Sequence, residues 1–356
     1  MSKKLDIKIL AFMLFFLTAF TSCEAIMEGE GDCEPVYSLT FSYDMNLKWY
    51  DVFPAEVTSV RAYAFDDNDV LVWQNSHRGS DLADPTYKMP LDLKPGKYKL
   101  VAWCGVDNDV QPSEESFAVQ DAQIGVTTLP ELTCRLNREY NEELGHHSRK
   151  QLYFMYHGIR DIEIPETFIT KETVYNVRLT KDTNHIRIVL QHLSGQSLSA
   201  DDFSFEISSA NGHLGHDNSL VDDAKITYLP YKTLTGSTVV GKDDAETSRA
   251  LVTVNGAIAD LNVSRMMADN PEEMILTIGN KKTGETVARI PVIDYALLSK
   301  DYYEEAYRHQ MTDQEFLDRE DHYVMTLFLD SDNHWLDTSI LIHSWRVVLS
   351  KAEIGS

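Results

Sequence analysis

Short segments in which apolar and polar residues alternate recur along the chain, and they limit the folds that it can adopt. Residues 37–43 read Tyr-Ser-Leu-Thr-Phe-Ser-Tyr, so every second side chain can enter a core while the others face water. Apolar segments of similar length follow at residues 57–65, 70–73, 98–103, 174–179, 185–190, 203–207, 251–254, 274–278, 287–293, 323–329 and 340–349. Many short strands at this spacing predict an all-β chain folded as β-sandwiches.

Residues that tolerate tight turns separate several of these segments. Asp66-Asp67-Asn68-Asp69 stands between residues 57–65 and 70–73, which predicts a β-hairpin. Lys94-Pro95-Gly96-Lys97 precedes residues 98–103; Pro presets φ there and Gly admits a positive φ. We therefore expect a turn at each place.

The chain has 356 residues, more than one hydrophobic core usually serves, so two domains are expected. The polar turn Thr180-Lys181-Asp182-Thr183-Asn184 separates two predicted strands, and we place the boundary there. The N-terminal β-sandwich domain would then comprise residues 35–181 and the C-terminal one residues 182–356. A helical insertion is expected at about residues 296–320, where Thr312-Asp313-Gln314-Glu315 matches a capping box.

The N-terminus has the order of a secretory signal. Lys3, Lys4 and Lys8 precede an uncharged and mostly apolar run at residues 9–20. That run is shorter than the roughly 20 residues that a membrane-spanning helix needs. We therefore interpret residues 1–22 as a cleaved signal peptide and the mature protein as exported.

Small residues directly before Cys23 indicate a lipoprotein. Thr21-Ser22-Cys23 ends the apolar run as a lipoprotein signal peptidase requires, and the thiol of Cys23 would carry a diacylglyceryl group. Several acyl chains hold a protein in a membrane far longer than one chain does. Residues 23–34 are acidic and contain glycine, so we interpret them as a lipidated, flexible tether. An ordinary signal peptide with a nearby cysteine is the alternative.

The charge of the chain excludes several classes of partner. Its formal net charge is −24 at pH 7, and loss of the lysine-containing signal peptide would make it more negative. Electrostatic attraction to nucleic acid or to anionic lipid is therefore not expected. Cys33, Cys104 and Cys134 remain after lipidation of Cys23, and export permits a disulfide between two of them without identifying the pair.

Established catalytic motifs are absent from the sequence. It has no Gly-rich phosphate loop, no His-Glu-x-x-His and no Gly-x-Ser-x-Gly. His213 and His216 could form half of a zinc site, but no nearby cysteine or carboxylate spacing completes a tetrahedral set, and a solvated loop is the simpler interpretation. His146-His147 would diverge on a strand. We expect no catalytic residue, no metal site and no cofactor.

Acidic turns and tryptophans allow both a functional and a structural interpretation. Residues 66–69 and Asp330-Ser331-Asp332-Asn333 offer oxygen ligands to calcium, but they lack the Gly and terminal Glu of the twelve-residue calcium loop, which favours β-turns.

Tryptophans on strands are usually core residues, although they can stack on sugar rings. The tryptophans are Trp49, Trp73, Trp103, Trp335 and Trp345. We expect Trp335 to be the most exposed of them.

Several segments carry a family resemblance. They are Phe41 to Asn46, Asp51 to Val57, Val60 to Asp66, Leu93 to Trp103, Gln314 to Tyr323 and the closing strand with Trp345. In order and spacing they resemble the FimB/Mfa2 family of fimbrial anchor subunits of Bacteroidetes. The similarity is specific in the N-terminal third, whereas residues 195–250 show little of the pattern.

The resemblance implies two transthyretin-like β-sandwich domains in tandem and a structural role at the base of a pilus. An anchor of this kind joins the fibre to the outer membrane and engages a fimbrial shaft (pilin) subunit by donor-strand exchange, which is a form of β-augmentation. Sheet edges then become the contact surface, and the edge beside residues 340–349 is our candidate for the contact with the pilin subunit. In Bacteroidetes lipoproteins, acidic residues after the lipidated cysteine resemble a surface-export signal, as Glu24 and Glu28 do here.

The distribution of basic residues bears separately on the anchor role. Shaft subunits of such pili are cut by a trypsin-like or Arg-specific protease that releases the lipidated N-terminal strand. Between Cys23 and Leu47 this chain has no Lys or Arg, and the first basic residue is Lys48, after the predicted first strand. We therefore expect the strand at residues 37–43 to be retained, as an anchor requires.

We therefore expect a fimbrial anchor or accessory subunit, lipid-anchored in the outer membrane, and not an enzyme. The alternative is a surface glycan-binding lipoprotein, which would need two or three coplanar, solvent-exposed Trp or Tyr side chains. An exported hydrolase would need a cleft that gathers two carboxylates or a histidine cluster with shifted pKa values.

Overall fold

The computed structural model describes residues 36–111, 113–166, 172–192, 196–242, 250–270, 273–342 and 345–348. The predicted signal peptide, Cys23, Cys33 and the tether lie outside these residues. The strands of the first half are β1 (Val36–Ser42), β2 (Ser59–Phe65), β3 (Leu71–Arg78), β4 (Met89–Pro90), β5 (Gly96–Cys104), β6 (Phe117–Val119), β7 (Cys134–Leu136), β8 (Glu139–Asn141), β9 (Gly145–Ser148), β10 (Tyr156–Ile164), β11 (Glu172–Arg178) and β12 (Thr180–Lys181).

The second half continues the all-β pattern and adds most of the helices. Its strands are β13 (Asn184–His192), β14 (Phe203–Ser209), β15 (His213–Leu214), β16 (Ile226–Tyr228), β17 (Lys232–Lys242), β18 (Ala250–Val263), β19 (Ile275–Asn280), β20 (Thr286–Pro291), β21 (His322–Leu329), β22 (Trp335–Ile342) and β23 (Trp345–Val348). The helices are α1 (Phe53–Glu56), α2 (Val292–Leu297), α3 (Lys300–Tyr307) and α4 (Asp313–Arg319). The predicted all-β fold class is confirmed.

The N-terminal sandwich packs a three-stranded sheet on a five-stranded sheet. The strand orders are β11-β1-β4 and β12-β10-β5-β2-β3. The core that both sheets share includes Leu39 and Phe41 of β1, Leu100 of β5 and Ile162 of β10. The alternation in the sequence of β1 therefore places its apolar residues in a core, and the predicted hairpin is the antiparallel pair β2 and β3.

The five-stranded sheet is covered on both faces. Ala62 and Ala64 of β2 belong to the N-terminal core, whereas Tyr63 and Phe65 belong to a second, larger core. Trp103 of β5 also lies in the larger core. Because adjacent residues of a strand point to opposite faces, the sheet separates the two cores. The almost continuous burial along β2 follows from this position.

The C-terminal sandwich consists of two six-stranded sheets. Their strand orders are β17-β18-β13-β21-β22-β23 and β20-β19-β14-β16-β9-β8. Buried and half-buried residues alternate along β13, which places Ile186, Ile188 and Leu190 in the larger core. Phe205 and Ile207 of β14 enter the same core from the other sheet. Each sheet therefore contributes one apolar face.

Strand pairing crosses the predicted domain boundary at residues 181 and 182. β9 pairs in parallel with β16, so β8 and β9 complete a sheet of the C-terminal sandwich, and β7 pairs with β15. The boundary turn itself is buried. Its residues Lys181, Asp182, Thr183 and Asn184 are each at most 5% exposed. A division into two domains at this turn stays a prediction.

The helical insertion is present, but it begins earlier than predicted. α2 starts at Val292, so the predicted strand at residues 287–293 is wrong at its last two positions. Pro291 precedes the helix, and it has no N–H for continued strand pairing. None of the helices in the described ranges combines the length and the hydropathy that crossing a bilayer requires.

The predicted capping box before α4 is half formed. The Thr312 hydroxyl accepts a hydrogen bond from the Glu315 N–H at 3.0 Å, as an N-cap should. The Glu315 carboxylate is engaged by Arg319 at 2.8 Å and by His309 at 3.2 Å. The Glu315 side chain therefore forms ion pairs on the helix surface and does not complete the capping box.

The predicted closing strand at residues 340–349 is wrong as a single strand. β22 begins at Trp335, and β23 folds back on it with Ser339 opposite Val348. In the sequence, the polar pair His343-Ser344 interrupts the apolar run at this point. The C-terminal region is therefore a pair of antiparallel strands.

Candidate tethering strand and partner edge

β1 is the first described element, and it lies inside a sheet. It pairs in parallel with β11 over seven residues, from Val36 opposite Glu172 to Ser42 opposite Arg178. On its other side it pairs with β4 over two residues. β11 and β4 are thus held together by β1, and the three-stranded sheet exists only while β1 stays in place.

Apolar side chains fix this segment to the N-terminal core. The buried ones are Tyr37, Leu39, Phe41 and Tyr43. Phe41 stacks on Phe53 of α1 with ring centroids 5.8 Å apart, and Tyr43 meets the edge of Tyr156 at 5.1 Å. Buried aromatic rings contribute large apolar areas and specific ring contacts. Loss of β1 would therefore open an apolar groove in the sandwich.

The loop after β1 joins this strand to helix α4. The Asn46 amide donates to the carbonyl oxygens of Tyr43 at 2.9 Å and Tyr50 at 3.0 Å, which closes the loop. The Leu47 N–H donates to the Arg319 carbonyl oxygen at 3.2 Å. The Arg319 guanidinium in turn donates to the Asn46 carbonyl oxygen at 3.4 Å. The start of the chain is thereby attached to the helical insertion of the second half.

The first basic residues lie beyond β1. Lys48 is exposed in the loop, with its Nζ 3.7 Å from the Glu56 carboxylate. The first arginine is Arg61, which lies within β2 and is held by two hydrogen bonds to Asp107. An Arg-specific protease therefore meets its first site inside a paired strand.

A buried lysine occupies the boundary turn next to β1. The Lys181 side chain is 3% exposed, and its Nζ contacts Glu56 at 3.2 Å and Asp321 at 2.5 Å. The same Nζ lies 3.4 Å from the centroid of the Phe154 ring, a cation–π contact. Because Asp321 precedes β21, this ion cluster connects the two sandwiches.

Asp182 is the most deeply buried acid of the same turn. Its Oδ1 accepts a hydrogen bond from the Asn218 amide at 2.9 Å and lies 3.9 Å from Nε of Arg265. Oδ2 has no hydrogen-bond partner among the described residues. Burial raises the pKa of Asp182 to about 7, against the opposing effect of Arg265. The turn therefore holds a carboxyl group that titrates near neutral pH.

Open sheet edges are the candidate contact surfaces for a partner. β23 is the terminal strand of a six-stranded sheet, so the predicted contact segment does lie at an edge. β3 ends the five-stranded sheet, and its residues 74–78 line a groove of about 550 Å³ together with Arg61 and Asp107. Unpaired backbone groups at such edges can accept a strand from another chain.

The structure corrects the interpretation of His213 and His216. His213 is 6% exposed on β15, and its Nδ1 lies 3.1 Å from the Arg135 guanidinium. The His216 carbonyl oxygen accepts a hydrogen bond from the His157 ring at 2.8 Å. The prediction of a solvated loop is therefore wrong, because β7 covers this segment by pairing with β15. His146 and His147 lie on β9 as predicted.

Both acidic segments form turns. Asp66 accepts the N–H groups of Asn68 at 2.9 Å and Val70 at 3.0 Å. Asp330 accepts those of Asp332 and His334, each at 2.9 Å. The predicted β-turns are confirmed. Asp330, Asp332 and His334 also bring three potential ligand atoms within 4.8 Å of one another on the surface.

The prediction that Trp335 is the most exposed tryptophan is wrong. Because β22 extends back to this residue, the indole packs against the larger core and lies 6.4 Å from the Tyr295 ring. Trp103 is fully buried, and Trp49 is the tryptophan that reaches the surface, with 36% of it exposed. The side chain of Trp345 lies outside the described part of the chain.

Two of the cysteines are buried free thiols. Cys104 and Cys134 are at most 1% exposed and are not joined to each other. Burial raises the pKa of both thiols above the usual value, which keeps them protonated. Neither is therefore placed for reaction with solutes.

Three comparisons identify related proteins. The family model for fimbrillin-A associated anchor proteins Mfa1 and Mfa2 matches residues 30–351. The minor fimbrium anchoring subunit Mfa2 of Porphyromonas gingivalis is 23% identical over 306 residues, which cover 84% of each chain. The solved structure of that organism's fimbrial anchor protein Mfa2 has a TM-score of 0.61 and 17% identity, covering 89% of this chain and 99% of the other.

A second solved structure is more similar in sequence. It is a candidate polysaccharide-binding protein of Bacteroides thetaiotaomicron, 29% identical with a TM-score of 0.72. The match covers 90% of this chain and 100% of that protein. The β-sandwich architecture is thus shared with these proteins. Because the family model spans almost the whole chain, the protein belongs to the family of fimbrillin-A associated anchor proteins Mfa1 and Mfa2.

Proposed function

We propose that this chain is the base subunit of a fimbrium, held on the outer surface of the outer membrane by lipid on Cys23. It binds a pilin subunit by β-strand complementation. Membership of the anchor family supports the fimbrial role. The observation that carries the proposal is the retention of β1, which is paired over seven residues and precedes every Lys and Arg after Cys23.

Retention of β1 determines what the subunit can do in a fibre. The groove that a donor strand would enter is filled by the chain's own Leu39 and Phe41. A subunit in this state offers an edge to a neighbour but accepts no strand in its own N-terminal groove. It therefore ends the fibre, and the lipid at the other end of β1 holds that end at the membrane.

The partner edge is proposed to be β23. Its outer side bears main-chain groups that pair with no further strand among the described residues. A pilin strand added there would gain backbone hydrogen bonds, and its alternate side chains would supply specificity. A catalytic role is not proposed, because the family that the chain belongs to is one of fimbrial anchor proteins. The fully buried acid Asp182 is engaged by Arg265 and Asn218.

Lipid attachment is tested by substitution of the cysteine. Cells that express Cys23→Ala are fractionated, and the chain and any co-purifying polymer are followed by immunoblot. We expect both to leave the membrane fraction for the medium. Cys33→Ala is the matched control, because it removes a neighbouring cysteine and should leave both in the membrane. If Cys23→Ala relocates the chain but no polymer ever accompanies it, the fimbrial role is wrong.

Retention of the strand is tested by a new protease site. Lys48→Arg places an exposed arginine directly after β1, and an Arg-specific endoprotease should then release a fragment that ends at residue 48. The cut chain should bind a labelled peptide with the sequence of residues 36–43, whereas the protease-treated native chain should not. Lys225→Arg adds an exposed arginine in the loop before β16 and serves as the control. Equal peptide binding by the native chain would contradict the proposal.

A further inference from the structure

Lys181 differs from the other ion-paired lysines of the chain in its burial. Its side chain is 3% exposed, whereas the other lysines that form ion pairs among the described residues have 20–70% of their side chains exposed. They are Lys48, Lys88, Lys282 and Lys300. An ammonium group taken out of water loses hydration free energy that its ion pairs must offset. A neutral form of this amine would therefore be less costly to bury than the cation.

Two carboxyl groups and an aromatic ring surround the amine. Nζ of Lys181 lies 2.5 Å from Oδ2 of Asp321 and 3.2 Å from Oε2 of Glu56. On a further side, the centroid of the Phe154 ring lies 3.4 Å from the same nitrogen. The amine thus contacts one carboxyl group that it can attack as a nucleophile and a second one that can accept its proton.

Tyr156 fixes the orientation of Glu56. Its hydroxyl donates a hydrogen bond to Oε2 of Glu56 at 2.9 Å. Burial raises the pKa of Tyr156, and the neighbouring Glu56 raises it further, so the phenol keeps its proton and remains a donor. The Glu56 carboxylate is therefore held with one oxygen toward the Lys181 amine, as a proton acceptor requires.

We propose that Lys181 and Asp321 condense to an amide, an isopeptide bond that joins the two sandwiches. Nζ of Lys181 attacks Cγ of Asp321, so that an N–C bond forms and the bond from Cγ to one carboxyl oxygen breaks. That oxygen leaves as water with two protons that the ammonium group gives up, and Glu56 relays them. The step consumes no other reactant and changes no oxidation state. The ion cluster described above is its reactant state.

The surroundings favour the amide over the ion pair. Condensation removes one positive and one negative charge from a buried position and leaves a neutral amide, which costs less to bury than two ions. A cleft of about 330 Å³ is lined by Glu56, Lys181 and Asp321, and it gives the water a path to solvent. Folding brings Lys181 and Asp321 together across 140 positions of sequence. The bond is therefore expected only in the folded chain.

The bond would change how the chain carries tension. In the proposed anchor role, a pull enters through β1 and leaves through β23. The covalent path would then run from residue 181 directly to residue 321, so that β13 to β20 bear no load through the backbone. Closing a long loop also lowers the entropy of the unfolded chain, which adds to the stability that the ion cluster contributes. The bond itself does not depend on the anchor role, and its test is separate.

The isopeptide bond is tested by peptide mapping of the full mature protein, extracted from membranes in detergent and unfolded before digestion with trypsin. We expect trypsin to leave Lys181 uncut and to produce a branched peptide that joins residues 179–187 to residues 320–346. Its mass should equal the sum of the two linear peptides minus one water. Tandem mass spectrometry should assign the branch to Lys181 and Asp321.

Lys300 is the internal control in the same digest. Its Nζ also lies near two carboxylates, Asp313 at 2.5 Å and Glu304 at 3.9 Å, but its side chain is 20% exposed. Like Lys181 it precedes an aspartate in the sequence. We expect trypsin to cut after Lys300, because an ion pair alone does not block cleavage of the unfolded chain.

Three variants separate the amide from the ion pair. Lys181→Arg keeps the positive charge but has no primary amine, so residues 320–346 should appear as a linear peptide. Glu56→Gln removes the proton acceptor and should lower the branched fraction at least about ten-fold. Lys300→Arg should leave the branched fraction unchanged. Thermal melting checks the fold of each variant, and the map of the native chain decides the matter even if a variant does not fold.

The proposal is overturned if the native chain releases residues 320–346 entirely as a linear peptide. Loss of water within that peptide without a branch would mean that Asp321 cyclises on its own backbone, and would also overturn it. A branch that persists undiminished in Glu56→Gln would overturn the role of Glu56 as the proton relay.

Discussion

The two sandwiches close their cores in different ways. In the C-terminal sandwich both sheets have six strands, and β13 lies between β18 and β21 with chain continuing on both sides. In the N-terminal sandwich the smaller sheet has three strands, and its central strand is the first described element of the chain. The C-terminal core is therefore closed by strands from the middle of the chain, and the N-terminal core by the first strand among the described residues.

This difference bears on the proposed anchor role. A terminal strand can be replaced by a strand of another chain without any change in the connectivity of the rest, whereas an embedded strand cannot. The pairing partners of β1 are also remote in sequence, since β4 and β11 lie about 50 and 135 residues away. The core of the N-terminal sandwich thus depends on one strand that comes early in the chain and pairs only with distant segments.

The largest expected effect is on β1 itself. Leu39→Ala should lower the free energy of unfolding by about 2–5 kcal/mol, because the Leu39 side chain is fully buried. It should also let a labelled peptide of residues 36–43 bind. Ile188→Ala in β13 should cost a similar amount without creating a peptide site. Urea unfolding and fluorescence anisotropy measure both quantities; peptide binding by both variants would remove the proposed distinction.

A smaller effect is expected at the junction of the sandwiches. Lys181→Met leaves Glu56 and Asp321 without their shared cation, and should cost about 1–3 kcal/mol in urea unfolding. Partial exposure of both carboxylates keeps the cost below that of a fully buried pair. Lys88→Met, which breaks an exposed pair with Glu172, should cost less than about 1 kcal/mol. If both variants lost the same free energy of unfolding, the ion cluster at the junction would contribute no more to stability than an exposed ion pair.

A pH-dependent effect of about 2–3 kcal/mol between pH 5 and pH 8 is expected from Asp182. Its folded-state pKa of about 7 lies above the usual value for Asp, so its contribution to stability is present at low pH and is lost between about pH 4 and 7. Asp182→Asn removes this dependence. Relative to the native chain, the variant should therefore gain roughly 3–4 °C in Tm between pH 5 and pH 8. A constant difference in Tm would show that Asp182 does not titrate in this range.

The smallest effect is expected at the surface end of β1. Arg178 of β11 forms an exposed ion pair with Asp44, just after β1. Arg178→Ala should change the free energy of unfolding by less than about 1 kcal/mol, because solvent screens such pairs. Binding of the labelled peptide of residues 36–43 in place of β1 should stay undetectable. Exchange in this variant would mean that the ion pair, and not the apolar side chains, retains the strand.

The strands were largely predictable because they depend on local alternation. Residues 37–43 and 185–190 become β1 and β13 with their apolar positions buried. The pairing was not predictable, since the parallel contacts of β1 with β11 and of β9 with β16 join segments that share no local signal. The order of strands in a sheet is a property of the whole core.

The candidate site was only partly predictable. The absence of Lys and Arg between Cys23 and Lys48 is a sequence property, and it predicts that β1 is retained. Lys181 and Asp182 were predicted to lie in a polar turn at a domain boundary, and their burial between the two sandwiches has no signal in the sequence. Trp49 had no distinguishing local pattern, since the residue on which its indole packs is Arg319, 270 positions later in the chain.

The parallel register of β1 and β11 has a mechanical consequence. A pull that enters at the N-terminal end of β1 along the strand axis would slide β1 past β11. The seven register pairs then resist in shear and share the force, whereas a pull perpendicular to the strand would break them one after another. In the proposed anchor role, a fibre under drag in flowing fluid would therefore be held by strand pairs that yield together at high force, and the rate of loading would govern detachment.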